Sequence, residues 1–117
     1  MIGKLIGTTI LFTTALFATT VVAAAKPARC VIDSGPERYT GPCDFRVSQG
    51  GSFTLLPVRG RSLMTGLTSL TVSIVSPGVA EVRGLTLAGV NSRWGEARRS
   101  RSDRACWVGE EFSICAY

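Results

Sequence analysis

Histidine is absent from this 117-residue chain, and after residue 25 lysine occurs once, at Lys26. The two absences exclude Ser–His and Cys–His nucleophilic catalysis in their usual form, histidine-ligated metal sites and histidine pH switches. Ser–Lys chemistry and Schiff bases likewise lack a lysine placed inside a core. No Cys-x-x-Cys spacing occurs, which argues against zinc. There is no GxGxxG, no P-loop and no EF-hand pattern. No helix of useful length and no internal repeat can be read. The acidic residues are Asp33, Glu37, Asp44, Glu81, Glu96, Asp103, Glu110 and Glu111. A glycosidase needs only two carboxylates at a set separation, but most of these fall in predicted turns or beside arginines. The expectation is therefore a non-enzymatic chain with no catalytic residue, metal or cofactor.

What is present begins with an address. Lys4 precedes an uncharged stretch from Leu5 to Val22, then Ala23, Ala24 and Ala25. Charged, apolar and small-residue regions in that order form a secretory signal peptide, with cleavage expected after Ala25. An uncleaved anchor is the rival, since about 20 apolar residues span a bilayer. Six threonines and the Ala-Ala-Ala box favour cleavage. Residues 26–117 then form one exported domain, periplasmic or secreted, with no stable membrane anchor and a modest core.

Four cysteines, Cys30, Cys43, Cys106 and Cys115, all lie after residue 25. An even number in a short exported chain reads as a disulfide framework. They fall into two close pairs, and Cys30–Cys43 with Cys106–Cys115 is the favoured connectivity. Each such loop contributes about 3 kcal/mol in the chain-entropy model. The pairing that ties the N-terminal segment to the C-terminal one remains open.

Short alternating runs broken by glycine and proline predict an all-β fold. A first strand is expected over 29–33, followed by two Gly-Pro turns at 35–36 and 41–42. In 43–47, Cys43, Phe45 and Val47 share a face. Residues 48–51 form a turn, 52–58 a strand and 59–66 a loop. The clearest hairpin joins 69–75, with Leu70, Val72 and Ile74 on one face, to 79–89 through Ser76-Pro77-Gly78. There Ala80, Val82, Leu85 and Leu87 are the inward candidates, with Gly84 as a bulge that switches phase. From Val90 to Arg104 the alternation disappears, and a long loop with a helical turn near "WGEARRS" is expected. A last hairpin, 105–109 with 112–117, turns around Glu110 and Glu111 and is stapled by Cys106–Cys115. The fold class is a small antiparallel sandwich or barrel of six to eight short strands.

Residues 26–117 carry eleven arginines and one lysine against eight acids, a net charge of +4. Five arginines, Arg93, Arg98, Arg99, Arg101 and Arg104, fall within twelve residues. Arginine grips carboxylate and phosphate through a planar fork and stacks on rings. Trp94 and Trp107 flank the cluster. With Trp94, those five arginines are the candidate binding site for an anionic envelope glycan or lipid headgroup; nucleic acid is disfavoured because no motif for it is present. The bland alternative is a solvated charge run, with Trp107 packed in the core beside the second disulfide.

"GPCDF", "GGSF", "NSRWG" and "ACWVGEEFSICAY" together resemble a group of small exported proteins of Gram-negative bacteria, which share a GPC-F…GGSF start and an ACW…CAY-like finish. The likeness covers most of residues 26–117. It implies an exported disulfide-bonded β domain with pairing inside each terminal motif, and it carries over no catalytic residue. A looser likeness is to periplasmic inhibitors of c-type lysozyme, whose Ser-Gly-x-x-Tyr loop enters the enzyme cleft. In "NSRWG" (91–95) the glycine after the serine is missing and tryptophan replaces tyrosine. A basic cluster in that loop would also be repelled by a basic lysozyme. A protein hydrolase is thus the second partner class.

Overall fold

The computed structural model describes residues 3, 7–16 and 25–117; most of the expected leader, 1–25, lies outside them. Eight strands follow one another: β1 (Lys26–Ser34), β2 (Glu37–Val47), β3 (Phe53–Leu56), β4 (Leu67–Ser76), β5 (Val79–Thr86), β6 (Asn91–Arg99), β7 (Cys106–Gly109) and β8 (Phe112–Ala116). Each pairs antiparallel with the next, and β1 pairs with β8, so the sheet closes into an up-and-down barrel. Of the two expected architectures, sandwich or barrel, the chain adopts the barrel with the upper number of strands. An eight-stranded barrel encloses just enough space for its own side chains. Here Ile32, Leu55, Leu70, Val72, Val82 and Ile114 fill it. Leu63 and Met64, from the β3–β4 connection, are buried with them.

Both disulfides join the expected partners, Cys30 to Cys43 and Cys106 to Cys115, a chemistry compatible with an oxidising, extracytoplasmic compartment. They occupy opposite faces of the wall. Cys30 and Cys43 belong to the core, alongside inward Ile32. Cys106 and Cys115 are directly paired across β7 and β8, one position out of phase with inward Trp107 and Ile114, and so point outward from the wall, though both are covered.

Four expectations are corrected. Residues 91–99 are not a loop with a helical turn but strand β6, laddered to β5 and β7. Its alternation is hidden because inward positions 95 and 97 are Gly and Ala. A register shift at Trp94 then breaks the phase, so Val82 faces Gly95 while Arg83 faces Arg93. The second Gly-Pro pair does not turn the chain; Gly41 and Pro42 lie inside β2, opposite Cys30 and Arg29. Pro42 is tolerated because β3 pairs only with Asp44–Val47, leaving no ladder partner on that side. The Tyr39 hydroxyl donates to the Pro42 carbonyl at 2.5 Å instead, and its phenol end lies 3.1–3.3 Å from where a Cβ on Gly41 would be.

Third, Gly84 does not switch the phase of β5. It keeps the inward position after Ala80 and Val82, and a Cβ there would meet Leu67 and the Trp94 indole, both at 2.8 Å. Leu85 and Leu87, expected inside, are therefore exposed. Fourth, Val47 shares the inward phase of Phe45 but sits at the barrel's end and is also exposed.

The placement of the two disulfides yields a test. Replacing either pair with alanine should cost about 3 kcal/mol of loop-closure entropy. Cys30→Ala with Cys43→Ala should cost more than Cys106→Ala with Cys115→Ala, because it also leaves a void in the core. Urea denaturation checks this; an equal loss for the two pairs would contradict the inside–outside assignment.

Candidate functional site

Strand direction sorts the connections onto two ends. One end collects the β2–β3, β4–β5 and β6–β7 connections, the start of β1 at Lys26 and the C-terminus. The other collects the β1–β2, β3–β4, β5–β6 and β7–β8 connections. The first end carries Lys26, Arg29, Arg46, Arg98, Arg99, Arg101 and Arg104 against Asp44, Glu81, Glu96 and Asp103. The second carries Asp33, Glu37, Glu110 and Glu111 against Arg38, Arg59 and Arg61. The positive surplus of the chain is thus concentrated away from the second end.

The arginine run is a built turn. Asp103 is its organiser: its Oδ1 accepts from the Ala105 amide at 3.1 Å, and its carbonyl accepts from the Cys106 amide at 3.0 Å. The Asp103 amide donates to Ser100 Oγ at 3.2 Å, and the Tyr117 hydroxyl donates to Asp103 Oδ2 at 2.5 Å. Asp103 thereby commits both carboxylate oxygens to a backbone amide and a phenol, and among the described residues it forms no ion pair with a neighbouring arginine. Arg99, at the end of β6, donates from Nε to the Arg104 carbonyl at 2.9 Å. Its guanidinium carbon also lies 5.6 Å from the centroid of the buried Trp107 ring.

Beneath this turn opens a depression of about 380 Å³. Arg99 and Arg104 border it, and Phe45, Phe53 and Trp107 contribute its aromatic lining. The Phe45 and Phe53 rings are stacked, 4.8 Å between centroids. Cationic forks over an aromatic floor suit a planar or tetrahedral anion attached to an apolar or ring-shaped body.

Of the six residues expected to form one site, the structure brings only some together. Arg99 and Arg104 border the depression, and Arg101 lies on the same turn. Arg98 stands on the outer wall, 3.4 Å from Glu96. Arg93 is on the outer face and paired with Glu81; that contact holds the Glu81 carboxyl below the usual carboxylate range and raises Arg93 further. Trp94 belongs to the opposite end, five residues and roughly 16 Å of strand from Arg99. There it packs edge-on against Phe112 at 5.6 Å, over a depression of about 690 Å³ that also touches Ser34, Pro36 and Glu111. Trp107 is in the core, as the sequence suggested.

Phe45, Phe53, Asp103 and Tyr117 were missed by sequence reasoning. The two phenylalanines read only as alternating strand residues. The Ser-x-Ser-Asp pattern at 100–103 was the available signal for Asp103, since such side chains fold turns onto themselves.

The Asp103 contact favours the protonated phenol and pushes the Tyr117 pKa above its ordinary value. The tether therefore stabilises at pH below the ordinary tyrosine pKa and is lost as pH rises through the raised one. Ultraviolet titration should show Tyr117 ionising late, and Asp103→Asn should return it toward normal; an unchanged titration in that variant would refute the contact. No known protein family, curated protein or solved structure matches this chain.

Proposed function

We propose that this chain is an exported, non-enzymatic β-barrel that binds an anionic component of a bacterial cell envelope, periplasmic or secreted, at its basic end. One observation carries the reading: Arg99 and Arg104 border an aromatic-lined depression, with Arg101 on the same turn and, among the described residues, no ion pair to any of the three. The signal-peptide pattern and the two disulfides support export. The ligand chemistry is phosphate or carboxylate.

A binding panel tests it, using oxidised residues 26–117, which contain every strand, both disulfides and the core found among the described residues. The probes are cell-wall sacculi, lipopolysaccharide and anionic phospholipid vesicles at low and physiological salt. Arg99→Ala with Arg104→Ala should weaken binding about tenfold or more, since a charge-assisted hydrogen bond contributes roughly 1.5–3 kcal/mol. Binding of none of the three probes, or equal binding by the variant, overturns the reading.

A second reading, inhibition of a lysozyme-type hydrolase by the segment Ser92–Gly95, is favoured by one observation. Ser92 and Trp94 share their end of the barrel with Glu37 and Glu111, away from the arginine turn, which weakens the charge objection to a basic enzyme. On this reading Trp94→Ala abolishes inhibition of a c-type lysozyme while Arg99→Ala with Arg104→Ala leaves it intact; no inhibition by the parent protein disposes of it.

A further inference from the structure

We infer that the basic end is a docking face for an anionic lipid bilayer, with the barrel standing on the membrane by the end at which the apolar N-terminal stretch joins β1. The inference rests on the reading above and narrows its ligand to lipid headgroups presented as a surface.

Three independent features meet at this end. The first is charge: Lys26, Arg29, Arg46, Arg98, Arg99, Arg101 and Arg104 outnumber Asp44, Glu81, Glu96 and Asp103, and both Asp103 oxygens are hydrogen-bonded, to the Tyr117 hydroxyl and the Ala105 amide. Clustered cations beside a bilayer are drawn to its negative surface within a Debye length. The second is apolar exposure among those cations. Val47 at the end of β2, Val75 at the end of β4 and Tyr117 at the C-terminus are 44%, 65% and 56% exposed. A soluble polyanion gives such side chains nothing to bury against, whereas the headgroup–acyl boundary does.

The third is chain direction. β1 starts at Lys26 at this end, so the uncharged Leu5–Val22 stretch is attached here and nowhere else on the barrel. While that stretch is held in a bilayer, the basic end is the one nearest the lipid. Cleavage after Ala25 would release the tether and add an α-amino cation at Lys26, which offsets the α-carboxylate of Tyr117 on the same face. The opposite end also exposes apolar side chains, Leu87 and Val90. It carries Asp33, Glu37, Glu110 and Glu111 against Arg38, Arg59 and Arg61, however, and so has no positive surplus to draw it to an anionic surface.

The test uses oxidised residues 26–117 with vesicles of phosphatidylcholine alone and of phosphatidylcholine with about one-third phosphatidylglycerol. Co-sedimentation at physiological salt should be at least tenfold stronger for the anionic vesicles. Val47→Ser with Val75→Ser, both at exposed positions, should reduce vesicle binding about tenfold while leaving binding to sacculi unchanged. Leu87→Ser with Val90→Ser should leave vesicle binding as it was. Binding to sacculi or lipopolysaccharide without vesicle binding overturns the docking inference and leaves the anion-binding reading standing. Vesicle binding insensitive to Val47 and Val75 also overturns it. Failure to bind any anionic probe removes both.

Discussion

The ladder between β1 and β8 is the contact on which the rest of this molecule depends. Cys30 through Ser34 pair with Phe112 through Ala116, and that pairing turns a meander of short strands into a closed wall. β3 and β7 have only four residues each, and an open sheet with strands this short would leave unpaired edges and a half-covered apolar face. Closure removes the edges and surrounds the core. The inner disulfide, Cys30–Cys43, ties β1 to β2 beside the seam. The outer one, Cys106–Cys115, ties β8 to β7 on its other flank. Both staples therefore reinforce the strands whose separation would open the barrel.

Closure also creates two ends with different chemistry. In an up-and-down barrel, alternate connections go to alternate ends, so the position of a residue along its strand decides which end it serves. The arginine turn at 100–105 lands with the start of β1 and the C-terminus. Glu110 and Glu111 land opposite, only a few residues later, because β7 carries the chain across. A cluster that looks continuous in sequence, from Arg93 to Arg104, is thereby divided along the length of β6.

Asp103 shows how a turn can keep its arginines available. A carboxylate within a basic run ordinarily neutralises a neighbour. Here both oxygens are taken, one by a backbone amide and one by Tyr117. Arg99 is held by the Arg104 carbonyl and the Trp107 ring, neither of which carries a net charge. The guanidinium is positioned without being cancelled, which is the electrostatic arrangement an anion site requires.

Much of the fold was legible in the residues themselves. Leu70, Val72 and Ile74 alternate with serine and threonine, and alternation of that kind reports a half-buried strand whatever it packs against. Turn residues separate the runs, and cysteine spacing favoured the pairing found. β6 was not legible, because its inward residues are Gly95 and Ala97 and its large apolar residue, Trp94, sits at a bulge; small side chains give no hydrophobic signal. Gly41–Pro42 misled for a related reason, since proline's tolerance inside β2 depends on β3 being too short to reach it. In the same way, local composition could name Arg99, Arg101 and Arg104 as candidates, but only the closed barrel could seat Phe45 and Phe53 beneath them and carry Trp94 to the other end. Strand periodicity is a property of neighbouring residues, whereas barrel closure is set by pairings between residues as far apart as Cys30 and Ala116.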